Sequence, residues 1–434
     1  MAPARALTLT SRVPALPRRG RLVPRAVTAS LVVLVSVVAA LLLSGRPALA
    51  DDSVTVYPGL VAAGPDHTCG ILTPGQVSCW GRGDDGRLGY GSTDGVADGI
   101  GPSVAEAGSV PVGGAVTQVA VGDAHSCALL DDGGVRCWGR GDDGRLGYAA
   151  RGNVGDGSGP SIRDAGDLPL PGPATQIAAS GATTCALLAT GDVSCWGRLA
   201  PVHAIALAGA AVAVAAGDDQ SCAVLQSGAV DCWAPDGTPQ SLTLDGTAQD
   251  VAVGSGLACA LLDSGEVECW SGGAAPAPVQ LDPAAVAVAV GGSQACAVAD
   301  DAGVWCWTGQ AAPTSEGVSA RAVSVGDDDA CIITTGSALS CWGSGAYGKL
   351  GTGDVGSREP DGSVVGAVKG SPLKTVTQSF GGTTQADAAA DARGIAVASA
   401  AHRALWWWLL ALPVAGAAAA AAFVLRRRTT GGAA

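Results

Sequence analysis

The chain has 434 residues, with 65 Gly, 14 Cys and 11 Trp but only 4 Tyr, 2 Phe and 1 Met, a narrow usage that argues for a repeat rather than an ordinary mixed fold. The formal net charge of −13 hides an asymmetry: residues 1–50 hold seven Arg and no acid, residues 405–434 hold three Arg and no acid, and 51–404 holds all 38 acids against 15 bases, a net of −23. A surface of that sign excludes nucleic acid and anionic headgroups as natural partners and favours soluble or cationic ones.

The N-terminus is basic through Arg18, Arg19, Arg21 and Arg25, and an apolar run from Ala26 to Leu43 follows. With the small-residue site Ala48-Leu49-Ala50, this is the pattern of a secretory signal peptide over 1–50, cut after Ala50. An uncleaved N-terminal membrane helix is the rival reading, because the run approaches spanning length.

Seven cysteine pairs come next, each separated by nine residues: Cys69/Cys79, Cys127/Cys137, Cys185/Cys195, Cys222/Cys232, Cys259/Cys269, Cys296/Cys306 and Cys331/Cys341. A Trp follows every second Cys: Trp80, Trp138, Trp196, Trp233, Trp270, Trp307 and Trp342. The first cysteines lie 58, 58, 37, 37, 37 and 35 residues apart, so the region is a sevenfold repeat. Between Cys127 and Cys137, two apolar runs flank Asp131-Asp132-Gly133, a three-residue hairpin loop with Gly at its left-handed position. Such a hairpin sets its two Cys opposite one another, within disulfide reach. Gly75, Gly191, Gly228 and Gly265 hold the same loop position. Ala302 and Ser337 replace it in the last two repeats, where a different turn is expected. Zinc ribbons want closer cysteine pairs than any present here, so seven structural disulfides are the preferred reading. Another β-like run precedes each first Cys, as in Ala115–Gly122. Each repeat therefore offers at least three short strands, and radial stacking would close seven such units into a ring.

The stretches Trp80–Gly89, Trp138–Gly147 and Trp342–Gly351 read Trp-Gly-x-Gly-x-x-Gly-Arg/Lys-Leu-Gly. This resembles the regulator-of-chromosome-condensation repeat, over about residues 54–370. The family pattern has Asn where Gly83, Gly141 and Gly345 stand, and Gln where Arg87, Arg145 and Lys349 stand. The resemblance implies an all-β, seven-bladed β-propeller; with one hairpin disulfide per blade, it would be a secreted, bacterial-type member. The middle four repeats lose the Gly-x-Leu-Gly segment, so their blades are expected to be trimmed. Known members include an exchange factor for a small GTPase, a plant ultraviolet receptor and secreted inhibitors of β-lactamase, so the resemblance bears on fold more than on function.

Several motifs have plain structural readings. Gly81-x-Gly83-x-x-Gly86 matches a dinucleotide fingerprint but recurs as a blade motif with no helix after it. Arg82-Gly83-Asp84 and Arg140-Gly141-Asp142 look adhesive but fall inside the repeat consensus. Asp84, Asp85, Asp142, Asp143 and Asp327–Asp329 could offer oxygen to Ca²⁺, yet no known ligand spacing is present, so they read as solvated turn acids. His67 and His125 share one repeat position and read as structural, and the seven Trp read as packing between blades. The long insertions at 90–114 and 148–173 are either binding loops or blade edging.

Residues 371–404 are expected to form a stalk after a propeller spanning 51–370. Leu405–Leu425 is uncharged over 21 residues, a span of roughly 31 Å as a helix, and reads as a transmembrane helix. Trp406, Trp407 and Trp408 would sit at the outer interface, and Arg426, Arg427 and Arg428 would anchor a cytoplasmic tail of 426–434. The expectation is then a single-pass cell-membrane protein with its propeller outside. It would bind an extracellular protein or polymer, touch the lipid bilayer through its helix, and use no cofactor, metal or nucleic acid. No catalytic constellation stands apart from the repeats. The rivals are an extracellular enzyme inhibitor or enzyme and, opposed by the export signal, a GTPase exchange factor.

Overall fold

The computed structural model describes residues 60–360 apart from 151, 199, 236 and 237. The chain divides into two units, Met1–Asp52 and Ser53–Ala434, and every described residue belongs to the second.

Each repeat is built on an antiparallel three-stranded unit. Repeat 1 holds β1 (Val61–Ala63), β2 (His67–Thr73) and β3 (Gln76–Gly81). Repeat 2 holds β4 (Val116–Val121), β5 (His125–Leu130) and β6 (Val135–Gly139). Repeat 3 holds β7 (Ala174–Ser180), β8 (Thr183–Leu188), β9 (Val193–Gly197) and a fourth strand, β10 (Ala200–Ile205). Repeats 4 and 5 also have four strands: β11 (Ala211–Ala215), β12 (Ser221–Leu225), β13 (Val230–Trp233) and β14 (Gln240–Ser241), then β15 (Ala248–Val253), β16 (Ala258–Leu262), β17 (Val267–Trp270) and β18 (Ala277–Val279). The last two repeats run through β19 (Ala285–Gly291), β20 (Gln294–Ala299), β21 (Gly303–Thr308), β22 (Thr314–Val325), β23 (Asp329–Thr334) and β24 (Leu339–Gly343). The middle repeats are thus not trimmed: where the glycine-rich segment is missing, a further strand covers the outer edge.

The blade count differs from the expected seven. The strands form six hydrogen-bonded sheets, and the last is six-stranded in the order β19-β20-β21-β22-β23-β24. The described strands therefore make a six-bladed propeller, not a seven-bladed one. The cause lies in the final linker. The first cysteines of the last two repeats are 35 residues apart rather than 37, which leaves no room for a turn between the outer strand of one and the first strand of the next. The 12-residue β22 serves both, pairing β21 through Ser315 and Ser319 and β23 through Val323 and Ser324. The first strands of the repeats adjoin one another around the ring, which closes where β22 meets β1.

With seven hairpins on six sheets, the disulfides are one per hairpin rather than one per blade. They join Cys69 to Cys79, Cys127 to Cys137, Cys185 to Cys195, Cys222 to Cys232 and Cys259 to Cys269. The six-stranded sheet holds the last two, Cys296 to Cys306 and Cys331 to Cys341. Within each hairpin the two cysteines are direct register partners, with Cα atoms 4.0–4.1 Å apart. The turn expected to change does not. Ala302 and Ser337 take the left-handed conformation (φ 68° and 63°) that Gly133 and Gly191 take at the same point (85° and 86°). Their N–H groups bond back to Ala299 and Thr334 just as Gly133 bonds to Leu130. Register across the disulfide outweighs the strain of a side chain at positive φ.

The core lies between neighbouring repeats. Ala and Val make thin inner faces, and the Trp of the later repeat fills the gap: Trp233 against repeat 3, Trp270 against repeat 4, Trp307 against repeat 5 and Trp342 against repeat 6. Repeats 7, 1, 2 and 3 instead share one continuous core holding Trp80, Trp138 and Trp196.

The two long insertions are ordered blade edging. Each carries a one-turn helix, α1 (Val104–Ala107) and α2 (Ile162–Ala165), capped by Ser103 and Ser161. Beyond the helix, Val110 donates to the Val77 carbonyl and Leu168 to that of Val135, closing the outer edges of β3 and β6.

The membrane topology expected from sequence is corrected at this point. Among the described residues no helix is long and apolar enough to cross a membrane. The signal peptide (1–50), the stalk (371–404), the span 405–425 with Trp406, Trp407 and Trp408, and the tail with Arg426, Arg427 and Arg428 all lie outside the described residues. The structure gives a single-pass, extracellular placement and a lipid-bilayer contact no footing, and neither is retained, nor is the description as a secreted bacterial-type member.

Candidate functional site

The glycine-rich segments of repeats 7, 1 and 2 act as latches. Each ends in a buried cation whose main chain reaches the next repeat. The Lys349 carbonyl of repeat 7 accepts from Thr68 Oγ1 (2.9 Å) and Trp80 Nε1 (2.8 Å) of repeat 1. The Arg87 carbonyl accepts from Ser126 Oγ (2.9 Å), and the Arg145 carbonyl from Trp196 Nε1 (3.1 Å). The sequence carries a matching pattern outside the motifs singled out above: the residue before the first Cys is Thr68, Ser126 or Thr184 after a complete latch, and Ser221, Ala258, Ala295 or Ala330 elsewhere. The hydroxyl is present in every repeat that has a carbonyl to meet.

The cationic side chains hold the turns at one end of the ring. Arg87 Nη1 donates to the Asp123 carbonyl (2.9 Å) and faces Asp66 (3.4 Å), while Nη2 faces Asp85 (3.3 Å). Arg145 pairs with Asp143. Lys349 is buried, donates to the Pro65 carbonyl (2.8 Å), and pairs with Asp328 and with the fully buried Asp329 (3.0 Å). Burial pushes the Asp329 carboxyl up to about 7 against the pull of Lys349. Burial also opposes the Lys349 charge, but Asp329 and Asp328 outweigh it and hold that ammonium above its ordinary value.

In repeats 1 and 2 a histidine stands where repeat 7 has Asp329. His67 Nε2 lies 2.9 Å from Ser126 Oγ, and His125 Nε2 lies 2.8 Å from Thr184 Oγ1. Since the Ser126 hydroxyl donates to the Arg87 carbonyl, its oxygen must accept from the ring, which assigns the proton to Nε2 of His67. Burial, then Arg145 and Arg87, lower His125 to about 3; burial, Arg87 and His125 lower His67 as well. Both rings are neutral, buried and engaged, so neither can reach a substrate.

What faces solvent at this end is a rim of turn carboxylates. Asp66 is paired with Arg82 (3.0 Å), and Asp218 with Arg198. Asp123 and Asp327 are exposed and, among the described residues, carry no ion pair of their own. Partial desolvation by the surrounding turns, then Asp218 and Asp327, raise Asp123, and partial desolvation with Asp328, Asp66 and Asp218 raises Asp327 even though Lys349 opposes it. The rim thus retains unbalanced negative charge at Asp123 and Asp327, in repeats 2 and 7.

Of the acids considered as Ca²⁺ ligands, all but Asp327 pair with basic side chains of the latch segments, Asp85 with Arg87 and Asp143 with Arg145 among them. Asp84 pairs with Arg82 (2.6 Å), Asp142 with Arg140 (2.6 Å), and Asp328 and Asp329 with Lys349. Among the described residues no group of three or more His, Cys, Asp or Glu is placed to hold a metal. The adhesive-looking Arg82-Gly83-Asp84 closes on itself through the same ion pair. An open cleft of about 380 Å³ between Tyr148, Pro169 and Pro171 of repeat 2 and Pro201, Val202 and His203 of β10 brings together no convergent polar groups.

The regulator of chromosome condensation (RCC1) repeat pattern matches residues 60–87, 116–145 and 174–198, and a second form of it matches 74–129. These are the latch-bearing repeats 1 and 2, with repeat 3 that receives the second latch. The chain is 32% identical over 162 residues to the ultraviolet-B receptor UVR8 of Arabidopsis thaliana, a stretch covering 35% of this chain and 32% of that protein. The match thus spans about a third of the receptor's length. Among solved structures, yeast RCC1 (Prp20), determined bound to Kap60, superposes with a TM-score of 0.55 at 17% identity, over 73% of this chain and 88% of that one. Human WBSCR16 superposes with a TM-score of 0.53 at 16% identity, over 64% and 91%. At such identities the likeness speaks to the fold.

Proposed function

We propose that this chain is a non-catalytic protein-binding propeller. The observation that carries the reading is the disposition of charge at one end of the ring. The imidazoles and latch cations are buried in joints between blades, while Asp66, Asp123, Asp218 and Asp327 are presented together on a rigid rim. A fixed, charged, disulfide-stapled surface suits recognition, since little order is lost on binding. The similarity to yeast RCC1, whose structure was determined bound to Kap60, is consistent with a propeller serving as an interaction module.

The test is affinity capture with the immobilised full chain, compared with a chain carrying Asn at Asp66, Asp123, Asp218 and Asp327. Proteins retained by the first and lost by the second, and recovered at lower salt, are expected. Retention of the same set by both, or of nothing by either, would overturn the reading.

A further inference from the structure

Three large hydrophobic side chains stand out as exposed among the described residues: Ile100 (94%), Val355 (55%) and Tyr347 (47%). All three belong to two loops that meet where repeat 7 closes on repeat 1. A Cβ placed on Gly99 would stand 3.8 Å from the Gly353 carbonyl oxygen. Gly348 has no room for one, because the Ala97–Asp98 peptide lies against it, and Gly345 is pressed on Val355 and Gly356 in the same way. Ile100, Tyr347 and Val355 therefore share one continuous patch of backbone.

Tyr347 is out of place by local rules. Its φ is 59°, and the matching residue of repeat 1, Asp85, has φ 63°. Short polar residues tolerate that region, whereas a bulky aromatic there is strained. The ring does not recover the cost by burial, and the Arg82 guanidinium sits 5.0 Å above its centroid, which holds both groups in place at the surface. The surroundings are acidic. Asp84, Asp94, Asp354 and Glu359 are exposed on or beside these loops. Of the neighbouring cations, Arg87 and Lys349 are buried, Arg82 pairs with Asp66 and Asp84, and Arg358 pairs with Asp354.

We infer that this seam is the docking surface for a cationic protein segment, one that sets an apolar side chain against Tyr347 and Ile100 between Lys or Arg residues facing Asp94 and Glu359, exposed acids that carry no ion pair among the described residues. The inference rests on the protein-binding reading and adds to the carboxylate rim a second contact of stated chemistry, at the seam between repeats 7 and 1. An apolar centre with an aromatic–Arg pair, edged by carboxylates that lack a partner of their own, is how interface hot spots are built. A second copy of the chain is a poor occupant, because a twofold contact would bring these carboxylates against their own kind.

The test uses the full chain and three fluorescent peptides of equal length: one Lys/Arg-rich with a central Leu-Phe, the same with Ser-Ser at the centre, and an acidic version with Leu-Phe. Anisotropy should report binding of the first, weaker binding of the second and none of the third. Tyr347→Ala and Ile100→Ser should each weaken the first by about tenfold or more. Both positions are exposed, so folding should be unaffected, and the seven disulfides and far-ultraviolet dichroism check that. Equal binding of the acidic peptide, or basic-peptide binding indifferent to both substitutions, would overturn the inference. So would self-association abolished by Tyr347→Ala, which would make the occupant a second copy. A partner captured by the whole chain yet indifferent to these substitutions would overturn this assignment and leave the protein-binding reading standing.

Discussion

The arc of repeats 7, 1 and 2 and the arc of repeats 3 to 6 solve one problem in two ways. Every blade must cover the outer edge of its third strand and grip its neighbour. Repeats 3 to 6 cover the edge with a fourth strand and grip through side chains and single main-chain bonds, such as Ala211 N–H to the Gly191 carbonyl (2.8 Å), so each pair of neighbouring repeats has its own small core. Repeats 7, 1 and 2 grip with a latch, and repeats 1 and 2 cover the edge with an insertion. Leu88, Leu146 and Leu350 from the latches, with Val104 and Ile162 from the insertions, merge four repeats into one core. A strand needs only alternation of small apolar residues, whereas a latch needs glycines at fixed points, a buried cation, a carbonyl and a matching hydroxyl. The latched arc also carries the ring closure, which has no linker to hold it.

The comparison can be broken most severely at Lys349. Lys349→Met leaves Asp329 buried without its partner, and a loss of about 3–5 kcal/mol in urea unfolding is expected. Arg198→Ala in repeat 3 removes an exposed pair and should cost under about 1 kcal/mol. Similar losses from the two would mean that the latch is no stronger a joint than a surface contact. Next comes the hydroxyl rule. Ser126→Ala strands both the Arg87 carbonyl and His67 and should cost roughly 1–3 kcal/mol, while Ala258→Ser, where no latch arrives, should gain nothing.

Acid should act on the latched arc through its buried histidines. His67 and His125 are held below their unfolded value, so the stability they contribute is complete above about pH 6.5 and is lost as pH falls toward about 3 for His125. Asp329, raised to about 7, acts in the opposite sense: it favours the fold at low pH and loses that effect as pH rises through about 7. Each ring loses up to about 1.4 kcal/mol per pH unit on acidification, while the raised carboxyls Asp123, Asp327 and Asp329 act the other way, so the histidine contribution is read by substitution. His125→Gln should flatten the urea midpoint against pH between about 6 and about 4, and an unchanged slope would refute the assignment. The smallest effect concerns the other arc: Ala302→Gly should stabilise by about 0.5–1 kcal/mol by relieving its left-handed backbone, read as a rise in the thermal midpoint.

Much of this was open to a reader of the chain. Cysteine spacing with Asp-Asp-Gly between partners specifies a hairpin, because register across a tight turn is fixed by the loop alone. Seven equal pairs specify a repeat, and strands that cannot bury both faces specify a propeller. Covalent and local constraints suffice for that much. The sequence could not decide the number of blades. Seven hairpins make six sheets because one linker is two residues short, and whether a strand ends or runs on depends on the neighbour it meets. Nor could it decide that Ala302 and Ser337 keep a glycine's conformation, since the disulfide register imposes it from outside the turn. Ile100 lies in the first repeat's insertion and Tyr347 and Val355 follow the last hairpin, and nothing local relates them. Only the closing of the ring, which sets repeat 7 against repeat 1, puts them on one surface.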